Sequence, residues 1–141
     1  MIEAEQVVAA AKEWLGTPYL HQAAKKKLGC DCLGLILGVG RELGVDLPRT
    51  VPPYSASWRD PLAGTLLQDQ ADYCLKRQNS RPPCPGDILL FRMRRDLPAK
   101  HCAILIAPDQ MIHAQEGVGT IQLAFDAPWR RRLAAHYTFP N

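Results

Sequence analysis

Apolar positions along this chain keep a helical spacing in its first half and then switch to a strand-like one. Over residues 3–15, Ala4, Val7, Val8, Ala11, Trp14 and Leu15 recur on one face, with Glu5, Lys12 and Glu13 on the other, which predicts an amphipathic helix. Gly16 suits its C-cap, and Pro18 bars continuation. A second helix is predicted over residues 32–43, where Leu35, Ile36, Val39 and Leu43 form the apolar stripe and Gly44 the cap. Gly34, Gly38 and Gly40 each weaken that helix by up to about 1 kcal/mol relative to alanine, so something is expected to approach its backbone closely. It reads as the buried central helix.

Residues 45–57, with Pro48, Pro52 and Pro53, read as an irregular crossing. Asp60 and Pro61 then offer an N-cap and first position to a third helix running through Leu62, Leu66, Leu67, Ala71 and Leu75. The run Arg81-Pro82-Pro83-Cys84-Pro85-Gly86-Asp87 closes the helical half. Beyond it, residues 88–93, 101–106, 111–114, 119–125 and 133–139 read as strands, with a polar loop over 94–99 and a turn at Pro108-Asp109-Gln110. Helices followed by a meander predict an α+β domain, its N-terminal helices packed on one side of a C-terminal antiparallel sheet of about five to six strands. All 141 residues fit one such domain, and no internal repeat divides them.

Composition changes this picture little. An apolar fraction of 47% against 22% charged residues is that of an ordered globular chain. A net charge of +3 is too small to point to a nucleic acid or a membrane surface. Lys25-Lys26-Lys27 and Arg130-Arg131-Arg132 read as solvated segments. No apolar run approaches the roughly 20 residues that cross a bilayer, so membrane insertion is not expected. The start Met1-Ile2-Glu3-Ala4-Glu5 is acidic and amphipathic where a secretion leader would be basic and then apolar, so synthesis in the cytoplasm is expected. Five cysteines cannot all pair within one chain, which favours reduced thiols.

The candidate chemistry sits in Gly29-Cys30-Asp31-Cys32-Leu33-Gly34-Leu35, where a polar turn meets the second helix. Unpaired N–H groups and a partial positive charge at a helix start favour a thiolate, and Asp31 is a natural N-cap. Thiol nucleophiles need a base and a group that orients it. Cys32 at the helix start, His101 at a strand start and His113 on the next strand can supply these in that order; buried, inert cysteines would look the same in sequence. A turn centred on Asp109 sets His113 opposite Leu105, so contact between the histidines requires a stagger or bulge. Zinc is disfavoured: Cys30 and Cys32 have one residue between them where structural sites prefer two, and Cys84 and Cys102 stand alone. Cys102 is expected on the strand face opposite His101. His136 reads as a surface or core histidine, and Cys74, Trp14, Trp58 and Trp129 read as packing residues.

Leu15-Gly16-Thr17-Pro18-Tyr19, Asp31-Cys32-Leu33-Gly34-Leu35, Pro85-Gly86-Asp87-Ile88-Leu89-Leu90-Phe91, His101 before an apolar strand, and Ile112-His113-Ala114 together resemble the NlpC/P60 family of papain-like cysteine peptidases, in order and over nearly the whole chain. The resemblance implies that Cys32 is the nucleophile, His101 the general base and His113 the orienting third residue. It makes Tyr19 the tyrosine lining the oxyanion side and Asp31 the residue that helps bind the free amine of a substrate stem peptide. The implied reaction is hydrolysis of amide bonds in peptidoglycan stem peptides, commonly between D-glutamate and diaminopimelate, with no cofactor and no metal. His21-Gln22-Ala23 with Gly29-Cys30-Asp31-Cys32 looks like the branch found in tailed phages and gene transfer agents. That implies a tail component acting at the cell wall or periplasm during DNA delivery, with tail hub or tip proteins as partners and no nucleic acid contact. Leu33 stands where many members have serine, and His21-Gln22 replaces a common pair of small residues. The family's wall-binding repeats are not found, so targeting is expected to come from a partner. The alternative expectation is a catalytically silent tail-tip structural module that retains the fold.

Overall fold

The computed structural model describes residues 2–48 and 65–140. Helix α1, Ala4–Glu13, forms where the first amphipathic pattern predicts it, and its start is closed by a capping box between Glu3 and Gln6. A short hairpin of β1, Ala24–Lys25, and β2, Gly29–Cys30, leads into α2, Cys32–Glu42. Then come α3, Leu66–Cys74, and β3, Lys76–Arg77. The expected start of the third helix at Asp60 and Pro61 lies outside the described residues, as do Pro52, Pro53 and Trp58.

The second half holds β4, Ile88–Phe91, β5, His101–Ala107, β6, Gln110–Gln115, β7, Gly119–Ala124, helix α4, Ala127–Arg132, and β8, Leu133–Thr138. These strands and β3 form one six-stranded sheet in the order β3-β8-β4-β5-β6-β7, antiparallel throughout. The α+β reading holds, with α1, α2 and α3 on one side of the sheet. Val7 and Ala11 of α1, its C-cap Trp14, and Leu35, Ile36 and Val39 of α2 pack with Ile88, Leu90, Cys102, Ile104 and Ile112. The three glycines of α2 are explained by close approach. A Cβ at Gly34 would fall 1.8 Å from the Ala23 carbonyl oxygen, and one at Gly38 would fall 2.1 Å from the Trp14 ring.

The opposite sheet face is also covered. Leu89, Phe91, Ala103, Leu105, Met111 and Phe125 form a second buried cluster, against which Trp129 and Leu133 pack. Helix α4, which periodicity does not reveal in so short a segment, carries Trp129 there. Its signal is the cap: Asp126 accepts from Trp129 N, with Pro128 in the first turn. The arginine run is therefore not simply a solvated edge. Arg130 lies 4.3 Å from the Phe125 ring centroid and Arg132 5.4 Å from that of Trp129, both at cation–π range. In the lysine cluster, Lys26 bridges Glu13 at 2.9 Å and Glu42 at 3.1 Å, tying the loop to α1 and α2.

Candidate active site

Asp31 fixes where α2 begins. One carboxylate oxygen accepts from Gly34 N at 2.7 Å as an N-cap, and the other accepts from Gln22 N at 2.7 Å. The Asp31 N–H donates to the Ala23 carbonyl, so the loop over 20–23 is strapped across the helix start. Gln22 adopts left-handed backbone, φ 62°, to make this strap. Asp31 is 1% exposed, with His21 Nδ1 3.8 Å from its carboxylate. Just before it, Cys30 is buried and its sulfur lies 3.2 Å from Thr120 Oγ1. Cys30 is thus a packing residue pinned under β7, and Cys32 is the thiol placed on the helix terminus.

Cys32 is half-buried at the first position of α2. Hydrogen bonding from the Cys102 thiol, and then from His101 with its charge, outweighs burial and the Asp31 charge and pulls Cys32 down to about 5. Cys102 moves the other way: its hydrogen bond to Cys32, then burial and the Cys32 charge, push it well above the usual thiol range, so it remains an S–H donor. His101 and Cys102 are successive residues, expected on opposite strand faces. Both reach Cys32 because the helix terminus meets β5 at its first residues. Tyr19 is bridged in parallel to Cys30, two residues before the thiol. Burial, then the charges of Cys32 and Asp31, raise its phenol to about 12, which keeps it a neutral donor.

The two histidines meet. His101 Nε2 lies 2.8 Å from His113 Nδ1, and both rings are 2% exposed. The expected register, with His113 opposite Leu105, is corrected by an irregularity in the β5–β6 ladder between Leu105 and Ala107. Ile104 faces Ile112, so His113 falls beside Ala103 and diagonal to His101. Burial, then the charge of His101, lowers His113 from 6.5 to about 4, so it is neutral at physiological pH. This assigns His113 Nδ1 as acceptor and His101 Nε2–H as donor, leaving His101 Nδ1 for the thiol. Cys32, His101 and His113 thus form a line from nucleophile to base to orienting group.

The residue types needed for a metal centre are present, but among the described residues no group of three or more is placed so that it could hold a metal ion. Two contributors were not legible as site residues in the sequence. Cys102 was, on alternation, expected to turn away from His101, and Trp129 read as packing only. Trp129 does pack, but against the site: its ring centroid lies 5.9 Å from that of His101 and 5.6 Å from that of His113.

A papain-like α+β fold with a thiol on a helix start and paired imidazoles on the sheet defines the class. The chain belongs to the NlpC/P60 family, whose sequence profile matches residues 16–138. Its fold is similar to that of an NlpC/P60 family protein from Bacillus cereus, with a TM-score of 0.70 at 18% identity over 98% of this chain and 40% of that one. It is similar to a lipoprotein-like NLP/P60 family protein from Staphylococcus aureus, with a TM-score of 0.67 at 22% identity over 98% of this chain and 41% of the other. The NlpC/p60 domain of the peptidoglycan hydrolase SagA aligns over 98% of this chain and 100% of its own length, with a TM-score of 0.63 at 21% identity. The chain therefore spans about two fifths of the first two of these proteins. No curated protein sequence matches it.

Proposed function

We propose that this chain is a cysteine peptidase that hydrolyses amide bonds in bacterial peptidoglycan stem peptides. The observation that carries the reading is the line Cys32, His101, His113, with the thiol held low and the third residue held neutral. The Cys32 thiolate attacks the scissile carbonyl carbon, and the amide π electrons move onto oxygen. The Cys32 N–H at the helix terminus and the Tyr19 hydroxyl stabilise that oxyanion. His101 gives its proton to the departing amine, the C–N bond breaks, and an acyl-enzyme remains. His101 then takes a proton from water, whose hydroxide releases the acid and restores the thiolate. His113 accepts from His101 throughout and fixes its ring. The buried negative charge of Asp31, behind Tyr19, favours a substrate ammonium there, as the family resemblance implies. The bond between D-glutamate and diaminopimelate is the expected target.

A tail component of a phage or gene transfer agent, docked on hub or tip proteins and opening the wall during DNA delivery, is the biological setting that the motif around His21, Gln22 and Cys30 supports. The competing reading is a silent structural module. The depressed Cys32 thiol argues against it, because such a state serves no packing purpose. Both are tested by mass analysis of peptidoglycan fragments incubated under reducing conditions with wild type and Cys32→Ala, and by assaying delivery with particles carrying each. Stem-peptide cleavage lost in the variant supports the peptidase, and intact fragments in both favour the structural module.

A further inference from the structure

Trp129 takes no part in the proton and bond changes above, yet it lies against both imidazoles and 4.9 Å from Phe91, centroid to centroid. The histidines are 2% exposed and Trp129 is half-buried, so the indole stands between their hydrogen bond and water. Its own placement is fixed on several sides. Asp126 accepts from Trp129 N at 3.4 Å. Arg130 donates to the Phe125 carbonyl at 3.2 Å and to the Pro108 carbonyl at 2.9 Å. Arg92 N donates to the Arg132 carbonyl at 2.9 Å, and the Arg132 guanidinium lies over the indole.

We infer that Trp129 is a positioning residue for the Cys32–His101 pair, excluding water from the His101–His113 bond so that His113 stays a neutral acceptor and His101 keeps facing the thiol. This rests on the thiol–imidazole reading above. Water at that bond would compete for His101 Nε2–H and let the ring turn. It would also relieve the burial that keeps His113 unprotonated. Among the groups facing His113, the charge of His101 on β5 opposes a positive charge on it, while Arg132 on α4 lies over the indole. The Cys32 thiolate on α2 is paired with His101. On its own strand the Gln115 side chain hydrogen-bonds His113 and favours the protonated form without outweighing burial, and the partner of His113 on β7, Ile121, is apolar. With the indole gone, His113 takes up a proton, can no longer accept from His101, and Cys32 loses its imidazolium partner.

The test follows iodoacetamide modification of Cys32 against pH, read by peptide mass spectrometry on the intact chain, together with histidine ring titration by NMR. In Trp129→Ala the acid limb of Cys32 alkylation should rise by about two pH units from its midpoint near 5, so that the rate at pH 6 falls about tenfold. His113 should then titrate near the ordinary 6.5 instead of about 4. Trp129→Phe, which keeps a ring over the pair, should retain the wild-type profile within about twofold. Should Trp129→Ala not fold, Trp129→Leu, too short to cover both rings, carries the same expectation. A folded variant with unchanged alkylation and unchanged His113 titration overturns the inference, whatever happens to its melting temperature. Neither readout needs a wall substrate, so an inert wild type would count against the peptidase reading alone.

Discussion

Two regions of this molecule gather a cysteine, an aspartate and a histidine, and only one of them is arranged for chemistry. At the start of α2, the Asp31 carboxylate is engaged by backbone N–H groups, and the thiol is left to His101 and Cys102. Just before β4, Asp87 is 1% exposed and accepts from both Arg81 terminal nitrogens at 2.8 and 2.9 Å, from His136 Nδ1 at 2.9 Å and from Cys84 N at 3.1 Å. Cys84 Sγ lies 3.9 Å from that carboxylate. There the histidine serves the aspartate, and so does the thiol, which is directed at the same carboxylate. Which group the histidine serves separates a nucleophile from a structural clamp, and residue inventory does not.

The largest expected contrast is in activity. Cys32→Ala should abolish hydrolysis of a synthetic stem peptide, a loss on the order of a thousandfold or more, because no other thiol meets His101 as a thiolate. Cys84→Ala should leave the turnover rate within about twofold, since that thiol lies at the Asp87 cluster and not at the imidazole pair. Equal losses in both would erase the distinction.

In stability the ranking reverses. Asp87→Ala leaves Arg81 and His136 without their buried partner and should cost about 3–5 kcal/mol, read by denaturant unfolding. A loss below about 1 kcal/mol would show that the clamp is ornamental.

A smaller effect separates the two histidines by pH. His113 is depressed from 6.5 to about 4 in the folded chain, so the unfolded chain binds the extra proton first as pH falls. Its contribution to stability is therefore present above 6.5 and is lost between 6.5 and 4, amounting to roughly 3 kcal/mol across that window. His113→Asn should flatten that part of the curve, and an unchanged slope would mean that His113 is not held neutral.

Much of this was legible beforehand. Periodicity located α1, α2 and the five long strands, and the glycines of α2 announced close approach. Asp31 marked the helix start, which singled out Cys32 over Cys30. What could not be read depends on long-range register and on elements too short to carry a period. The two-residue strands β1, β2 and β3 leave no pattern. The His101–His113 contact needs a ladder irregularity that no residue between them signals. His136 reaches Asp87 across 49 residues, after β8 has paired with β4. Trp129 needed α4, whose cap, Asp126 followed by Pro128, was in plain view.

The central claim is that Cys32 is a thiolate paired with His101. Its most direct measurement is the rate of iodoacetamide modification of each cysteine in the native chain from pH 4 to 9. The expected result is a Cys32 curve with its midpoint near 5, lost in His101→Gln. A Cys32 that reacts only above about pH 8, as an ordinary thiol does, would contradict it.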